Sequence, residues 1–462
     1  MKKEPRTPHG ADGDVSRLSR IALFLMPTLA ALGPFLSLTP GSPGAPYAYR
    51  VLIAVAAAPA LLNLVRARGS GLFTRTLLFT TLAFIVWGTM ALGWTPNTGR
   101  GSRQLVGILI GILGCWVAIG LAGHHSRGRQ ALRRGFVLAA TTLSAVGVWQ
   151  YVTGNNMWNL VGQPFNFDGN PLIGTFINPN NFAAFLLGCL GPILAITIAG
   201  KWRDRMIGLA LIGVIAWILM NTESRTGVFG LALICGVGCV IVGIKLPKSQ
   251  TPLFMAFLGM LAVLALNMGK VARLLGGVDA DSSASDDLRV QLSKAAWRYF
   301  IESWGIGIGP AGFEPTLEND SSAQVIRILP PHNTFLEMAA EYGAPTIVPF
   351  LALMAALTVA AIKRLPSHSR ELTAQRVELL ACVIAIIAGG LVASSLIADP
   401  SWWLLIAYSI LLARRDEDPE GTDQGSEGAD PDLRRSSRNA AKASYRTHTN
   451  QMATKHTAKA AS

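Results

Sequence analysis

The chain has little of what a soluble metalloprotein or redox enzyme would display. Its 462 residues include only five cysteines and seven histidines. Cys115, Cys189, Cys235, Cys239 and Cys382 all fall inside apolar stretches, with no CxxC pair and no histidine beside them. That spacing excludes a zinc ribbon and a redox dithiol and offers no disulfide framework, which leaves packing as their role. Acidic residues number 27 against 40 basic ones, and charged residues together reach only 15%. No carboxylate cluster of metal-ligand type occurs in the segments read below as facing outward, so neither a metal nor another cofactor is expected.

Apolar sequence is what the chain has in quantity. Hydrophobic residues make up 51% and the mean hydropathy is +0.40. They come in runs of the length that crosses a hydrocarbon core of about 30 Å. Spans are predicted near residues 20–38, 46–65, 76–94, 104–123, 135–153, 182–200, 206–221, 227–244, 252–268, 344–361, 377–397 and 400–413. Lipid cannot satisfy an open sheet edge, so the expected class is all-α: a polytopic bundle of about twelve transmembrane helices. The first span follows Lys2, Lys3, Arg6, Arg17 and Arg20 as a signal peptide would. It is too long for a signal core and reads as a retained anchor.

Basic residues fall on alternate short loops. Arg66, Arg68 and Arg75 mark one, then Arg127, Arg129, Arg133 and Arg134, then Lys201, Arg203 and Arg205, then Lys245 and Lys248, then Lys363, Arg364, Arg370 and Arg376. Both termini share their side, which the positive-inside rule makes cytoplasmic. The net charge of +13 thus records topology, and no nucleic-acid partner is expected. One membrane domain, residues 1–413, is predicted. Residues 414–462 turn abruptly acidic and then basic, with few large apolar side chains, and read as a disordered cytoplasmic tail.

Two outer loops are long: Gly154 to Ile177, and the stretch from Met268 to Gly343, whose length far exceeds an ordinary connection. Within the second, Ser285 to Trp304 reads as a helix. Gln291, Lys294, Arg298 and Glu302 form its polar stripe, while Arg289 projects oppositely with Ala296 and Phe300, toward the membrane domain or a bound anion. Gly307, Gly309 and Gly312 fit GxGxxG, but a helix precedes them and Pro310 interrupts them. A dinucleotide loop is rejected in favour of a tight, closely packed turn. A further helix begins after Pro330 and Pro331 and ends at Gly343. His332 stands at its N-terminus, where the helix dipole favours neutral imidazole, so it is either a structural histidine or a general base. Arg225 occupies the minimal outer turn Asn221-Thr-Glu-Ser-Arg-Thr-Gly227. It either pairs with Glu223 or snorkels, or it offers phosphate oxygens a forked donor.

Gly174-Thr-Phe-Ile-Asn-Pro-Asn-Asn-Phe-Ala-Ala-Phe185, the Ser224-Arg225-Thr-Gly227 turn, Arg289 with Trp297, Gly305-Ile-Gly-Ile-Gly309 with Gly312-Phe313, and His332-Asn333 with Glu341 and Gly343 together resemble the O-antigen ligase and polymerase superfamily. The resemblance covers roughly residues 170 to 350. It implies a GT-C-like bundle in the bacterial inner membrane with a long helical periplasmic loop, 269–343. It also implies an inverting, metal-independent glycosyltransferase whose donor is a glycan on undecaprenyl diphosphate, and whose acceptor is lipid A-core or a growing glycan. On that resemblance Arg225 and Arg289 bind the diphosphate, His332 deprotonates the acceptor hydroxyl, and Asn178, Asn181 and Asn333 contact substrate among membrane lipids. Ligase is the expected activity. A polymerase using the same chemistry is the alternative, and a lipid-linked glycan transporter is the reading from another class. Transporters keep ionisable groups near the bilayer midplane, and the predicted spans carry none at their centres.

Overall fold

The computed structural model describes residues 15–36, 47–66, 71–123, 125–160, 171–245, 280–322, 329–363, 370–393 and 395–414. Among the described residues the regular elements are helical, with no strand. In chain order they are α1 (Arg17–Leu32), α2 (Ala48–Arg66), α3 (Leu72–Ala91), α4 (Thr98–Ala122), α5 (Ser126–Thr153), α6 (Met157–Leu160), α7 (Pro179–Ala199), α8 (Trp202–Asn221) and α9 (Arg225–Lys245). After these come α10 (Ala280–Glu302), α11 (Phe313–Glu318), α12 (Thr334–Tyr342), α13 (Ala344–Lys363), α14 (Arg370–Val392) and α15 (Pro400–Arg414).

Nine of the described helices, α2 to α5, α7 to α9, α13 and α14, are long and apolar enough to cross a membrane. The chain is therefore an all-α polytopic membrane bundle. Two predicted spans correspond to shorter helices: α1 has 16 residues and α15 has 15. The predicted span at 252–268 and the tail after Arg414 lie outside the described residues.

Helix α7 is the hub. Buried residues make up 89% of an apolar 18-residue stretch within it, and it packs against α14, α8, α9 and α5. Around it α1 lies on α5, α2 and α15 on α4, and α13 on α3. Without a hydrophobic drive between helices in lipid, close backbone approach matters most. Gly111 illustrates it: a Cβ there would meet the Trp403 ring at 2.3 Å. Cys115, Cys189, Cys235 and Cys382 are buried and Cys239 is half-buried, and none of the five is in a disulfide.

At the predicted cytoplasmic end, cations meet the carbonyls that close helices, where the macrodipole favours them. Arg205 Nε donates to Gly200 O at 2.8 Å, and Arg370 Nε to Ile198 O at 2.6 Å. Arg133 corrects a detail of the charge reading, because it is no free loop residue. It lies inside α5 and grips buried Glu378 of α14 with Nε at 2.8 Å and a terminal nitrogen at 2.5 Å, and the Tyr408 hydroxyl donates to the same carboxylate.

Candidate functional site

The starts of three helices gather around the end of α14. A Cβ on Gly389 would lie 2.9 Å from Ala184 Cβ near the start of α7, and one on Gly390 would lie 2.6 Å from the Phe335 ring near the start of α12. Thr334 Oγ1 donates to Ala393 O at 3.0 Å. The start of α9 joins through Gly227, whose Cβ would lie 3.0 Å from Ala183 Cβ. Arg225, Asn178, Asn181, His332 and Asn333 stand on these converging termini, at the end of the bundle that the charge pattern assigns to the outside.

Local hydrogen bonds fix each terminus. Asn178 caps α7, its Oδ1 accepting from Asn180 N at 2.8 Å, and Asn333 caps α12, accepting from Phe335 N and Leu336 N at 3.1 Å each. Each cap satisfies orphan amides of a first turn. Both side-chain oxygens are therefore engaged by backbone. Asn181 is half-buried in the first turn of α7. The stretch before α7 is pinned by Gln150, whose Oε1 accepts from Ile173 N at 3.1 Å and Gly174 N at 3.0 Å. Thr175 Oγ1 reaches Ala31 O at 2.6 Å.

Arg225 is half-buried as the first residue of α9. A cation there opposes the helix dipole, so the same position suits a bound anion. Ser224 Oγ accepts from Gly227 N at 3.2 Å and holds the turn.

His332 is half-buried, with φ of 51°. This left-handed conformation is uncommon outside glycine, although histidine tolerates it better than most residues. Burial, and secondarily the charge of Arg289, push its pKa down to about 4. The imidazole is therefore neutral at physiological pH. The same effect shows that two residues 43 positions apart in sequence are electrostatic neighbours. Arg289 is half-buried on α10, where it adjoins Val290, Ser293, Lys294 and Trp297 around a shallow hollow. On its packed side α10 buries Leu292, Ala295, Ala296 and Tyr299 with Phe313, Leu317 and Ala340. Arg298, on the predicted polar stripe, pairs with Asp320 and donates to Ser322 Oγ at 2.7 Å.

The glycine-rich turn forms a backbone clamp on α12. Ile308 N donates to Ala340 O at 2.8 Å, Gly309 N to Glu341 O at 2.9 Å, and Ala344 N to Gly305 O at 2.7 Å. Gly307 has φ of +86°, and a Cβ on it would sit 2.5 Å from Glu341 O. The side chains of Trp94 and Thr95 hold the turn from the other side, at Gly307 O (2.9 Å) and Pro310 O (2.7 Å).

Sequence reasoning missed the group beneath this clamp. Glu337 and Glu341, one turn apart on α12, are both buried. Gln104 Nε2 donates to Glu341 Oε2 at 2.8 Å, while Gln104 Oε1 accepts from Ala311 N and the Tyr342 hydroxyl at 2.7 Å each. Glu337 accepts from Ser395 N at 2.7 Å and Ser395 Oγ at 2.8 Å. Burial raises both carboxyl pKa values above the usual range. The available signal was the i, i+4 pair of glutamates on an otherwise apolar short helix. Among the described residues no group of three or more His, Cys, Asp or Glu is placed to hold a metal ion.

This arrangement defines a class: a polytopic membrane protein carrying a cationic site with a neutral imidazole at one end of its bundle. Comparison with known proteins makes the class specific. Residues 209–351 match the family model described as O-antigen ligase, a stretch that contains Arg225, Arg289 and His332. Teichuronic acid biosynthesis protein TuaE of Bacillus subtilis (strain 168) is 21% identical over 332 residues, covering 67% of each chain. Both matches support the O-antigen ligase and polymerase superfamily and point to a glycan-processing membrane enzyme of the ligase or polymerase type.

Proposed function

We propose that the protein transfers a glycan from undecaprenyl diphosphate to an acceptor hydroxyl at the periplasmic face of the inner membrane, as an O-antigen ligase. The observation that carries the reading is the coupling of Arg289 to a half-buried, neutral His332 at the mouth of the bundle. The sugar–phosphate bond breaks as the acceptor oxygen attacks the anomeric carbon, inverting it, and negative charge grows on the departing diphosphate. Arg225 and Arg289 meet that charge with fixed donors, which stabilise a transition state better than mobile water does. His332 takes the hydroxyl proton. Burial is the larger cause of His332's depressed pKa and the charge of Arg289 the smaller; a diphosphate bound beside Arg289 offsets the second, so donor binding itself strengthens the base. Asn178, Asn181 and Asn333 lend their amides to the substrate. Two fixed arginines take the role that a divalent cation has elsewhere, so transfer continues in EDTA.

The name of the relative TuaE, a protein of teichuronic acid biosynthesis, favours a second reading, in which the acceptor is a growing glycan and the enzyme is a polymerase. A strain lacking the gene separates the two. Loss of capped lipid A-core with intact lipid-linked polymer supports the ligase. Single repeat units on an otherwise capped core support the polymerase, and a normal glycan profile overturns both.

A further inference from the structure

Helix α10 has two apolar faces. Leu292, Ala295, Ala296 and Tyr299 are used against α11 and α12. The second face consists of Val290, Trp297, Ile301 and Trp304, all exposed. At about 100° per residue Val290, Trp297 and Ile301 fall within an arc of roughly 40°, and Trp304 follows in the turn just past the end of the helix. Trp304 is 94% exposed with φ of 55°, and the exposed Ile306 continues the patch. A bulky residue in the left-handed region is a genuine outlier, and glycine or asparagine ordinarily serves at a helix end. Here the chain holds an indole outward at a conformational cost.

Three relationships fix where this face lies. Helix α12 runs across the mouth of the bundle, from Thr334 on the end of α14 to Tyr342 on α4. Helix α10 runs beside it in the same direction, with Arg289 near His332 at one end and Gly305 O bonded to Ala344 N at 2.7 Å at the other. Trp87 Nε1 donates to Ile306 O at 3.1 Å and Trp94 Nε1 to Gly307 O at 2.9 Å, which sets the far end of the patch on the end of α3. There it continues the exposed apolar surface of a membrane span, Ile85, Val86 and Met90. Tryptophan concentrates at that depth in membrane proteins. Phe300, whose ring is tilted by 35° to that of Trp297 with centroids 5.4 Å apart, packs against the bundle core.

We propose that α10 lies in the interfacial layer of the outer leaflet, with Val290, Trp297, Ile301, Trp304 and Ile306 in lipid and the neighbouring Arg289–Lys294 hollow open to the headgroup layer. Lys294 flanks the stripe, where its stem can lie along apolar surface and its ammonium can reach lipid phosphate. Resting on the function proposed above, this seating lets a polyprenyl diphosphate reach Arg289 by lateral diffusion without leaving the leaflet.

The test uses the full chain in nanodiscs of phosphatidylethanolamine and phosphatidylglycerol. The five native cysteines are replaced, and a single nitroxide is attached through Ile301→Cys, Trp304→Cys or, on the polar side, Gln291→Cys. Relaxation by oxygen should exceed relaxation by a water-soluble nickel chelate at 301 and 304, with the order reversed at 291. Nickel dominance at all three positions overturns the proposal. This readout needs no activity, so it stands or falls apart from the transfer reaction. In active vesicles Trp304→Asp should raise KM for a long-chain lipid-linked donor with kcat little changed, and should leave KM for a short-chain soluble donor in detergent unchanged. An equal rise for both donors overturns lateral access.

Discussion

Gln104, in the second turn of α4, donates to Glu341 of α12 at 2.8 Å across 237 residues of sequence. Its other amide atom accepts from Ala311 N and Tyr342, so a single side chain ties a membrane span to the glycine turn and to the helix that follows His332. The orientation of Gln104 is thereby fixed, and Glu341 must present an acceptor to it. Glu341→Gln can present that acceptor to Gln104 or to Phe313 N, which donates to Glu341 Oε1 at 3.3 Å, but its new NH2 then faces a donor. The expected loss is about 1–3 kcal/mol, read as a lower thermal midpoint in detergent. Because the fold raises the pKa of Glu337 and Glu341, it favours their protonated forms. Their contribution is complete below the ordinary glutamate value of about 4.3 and declines as pH rises through the raised values. Wild-type midpoints should therefore fall from acidic toward mildly alkaline pH, and less steeply in Glu341→Gln. A flat wild-type profile would mean that neither carboxyl is shifted.

The bundle was legible because lipid imposes one solution on apolar runs. The sorting of α10 into a packed face with Ala296 and a polar face with Arg298 was legible because a helix that packs on another must sort its faces. The Gln104 network was not legible. Its partners lie more than 200 positions apart, and a glutamine at the start of a span reads only as an interfacial polar residue. Arg133 was misjudged for a related reason: charge counting sees a loop cation, whereas α5 carries it into the bundle to Glu378.

Topology fixes which compartment the site faces. Ser321, between α11 and α12, and Ser126, the first residue of α5, are both exposed. In a cysteine-free background, Ser321→Cys should react with an impermeant thiol reagent in intact spheroplasts, and Ser126→Cys should react only after permeabilisation. The reverse pattern would move the site to the cytoplasm.

The two arginines should be sensitive to geometry as well as to charge. A guanidinium fork meets two phosphate oxygens at once and an ammonium cannot. Arg225→Lys and Arg289→Lys should each lose most transfer while the protein still accumulates in the membrane. Near-normal turnover by either lysine variant would assign that arginine to packing.

His332 separates chemistry from binding. With its pKa pushed down to about 4 by burial and then by Arg289, it stays neutral in the free enzyme through the weakly acidic range. The acid limb of kcat/KM should therefore lie near that value. In the donor complex the diphosphate offsets Arg289, so the limb of kcat should lie at higher pH. Removing a general base slows transfer by about 10²- to 10⁴-fold, and it leaves both arginines in place to bind the donor. His332→Ala should therefore bind lipid-linked donor in nanodiscs nearly as well as wild type, yet form almost no product even with excess acceptor. His332→Gln should fail in the same way, because an amide can hydrogen-bond but cannot accept the proton usefully. Donor affinity that falls in step with activity would make His332 a phosphate contact. Normal turnover would reduce it to the residue that sets the left-handed turn into α12.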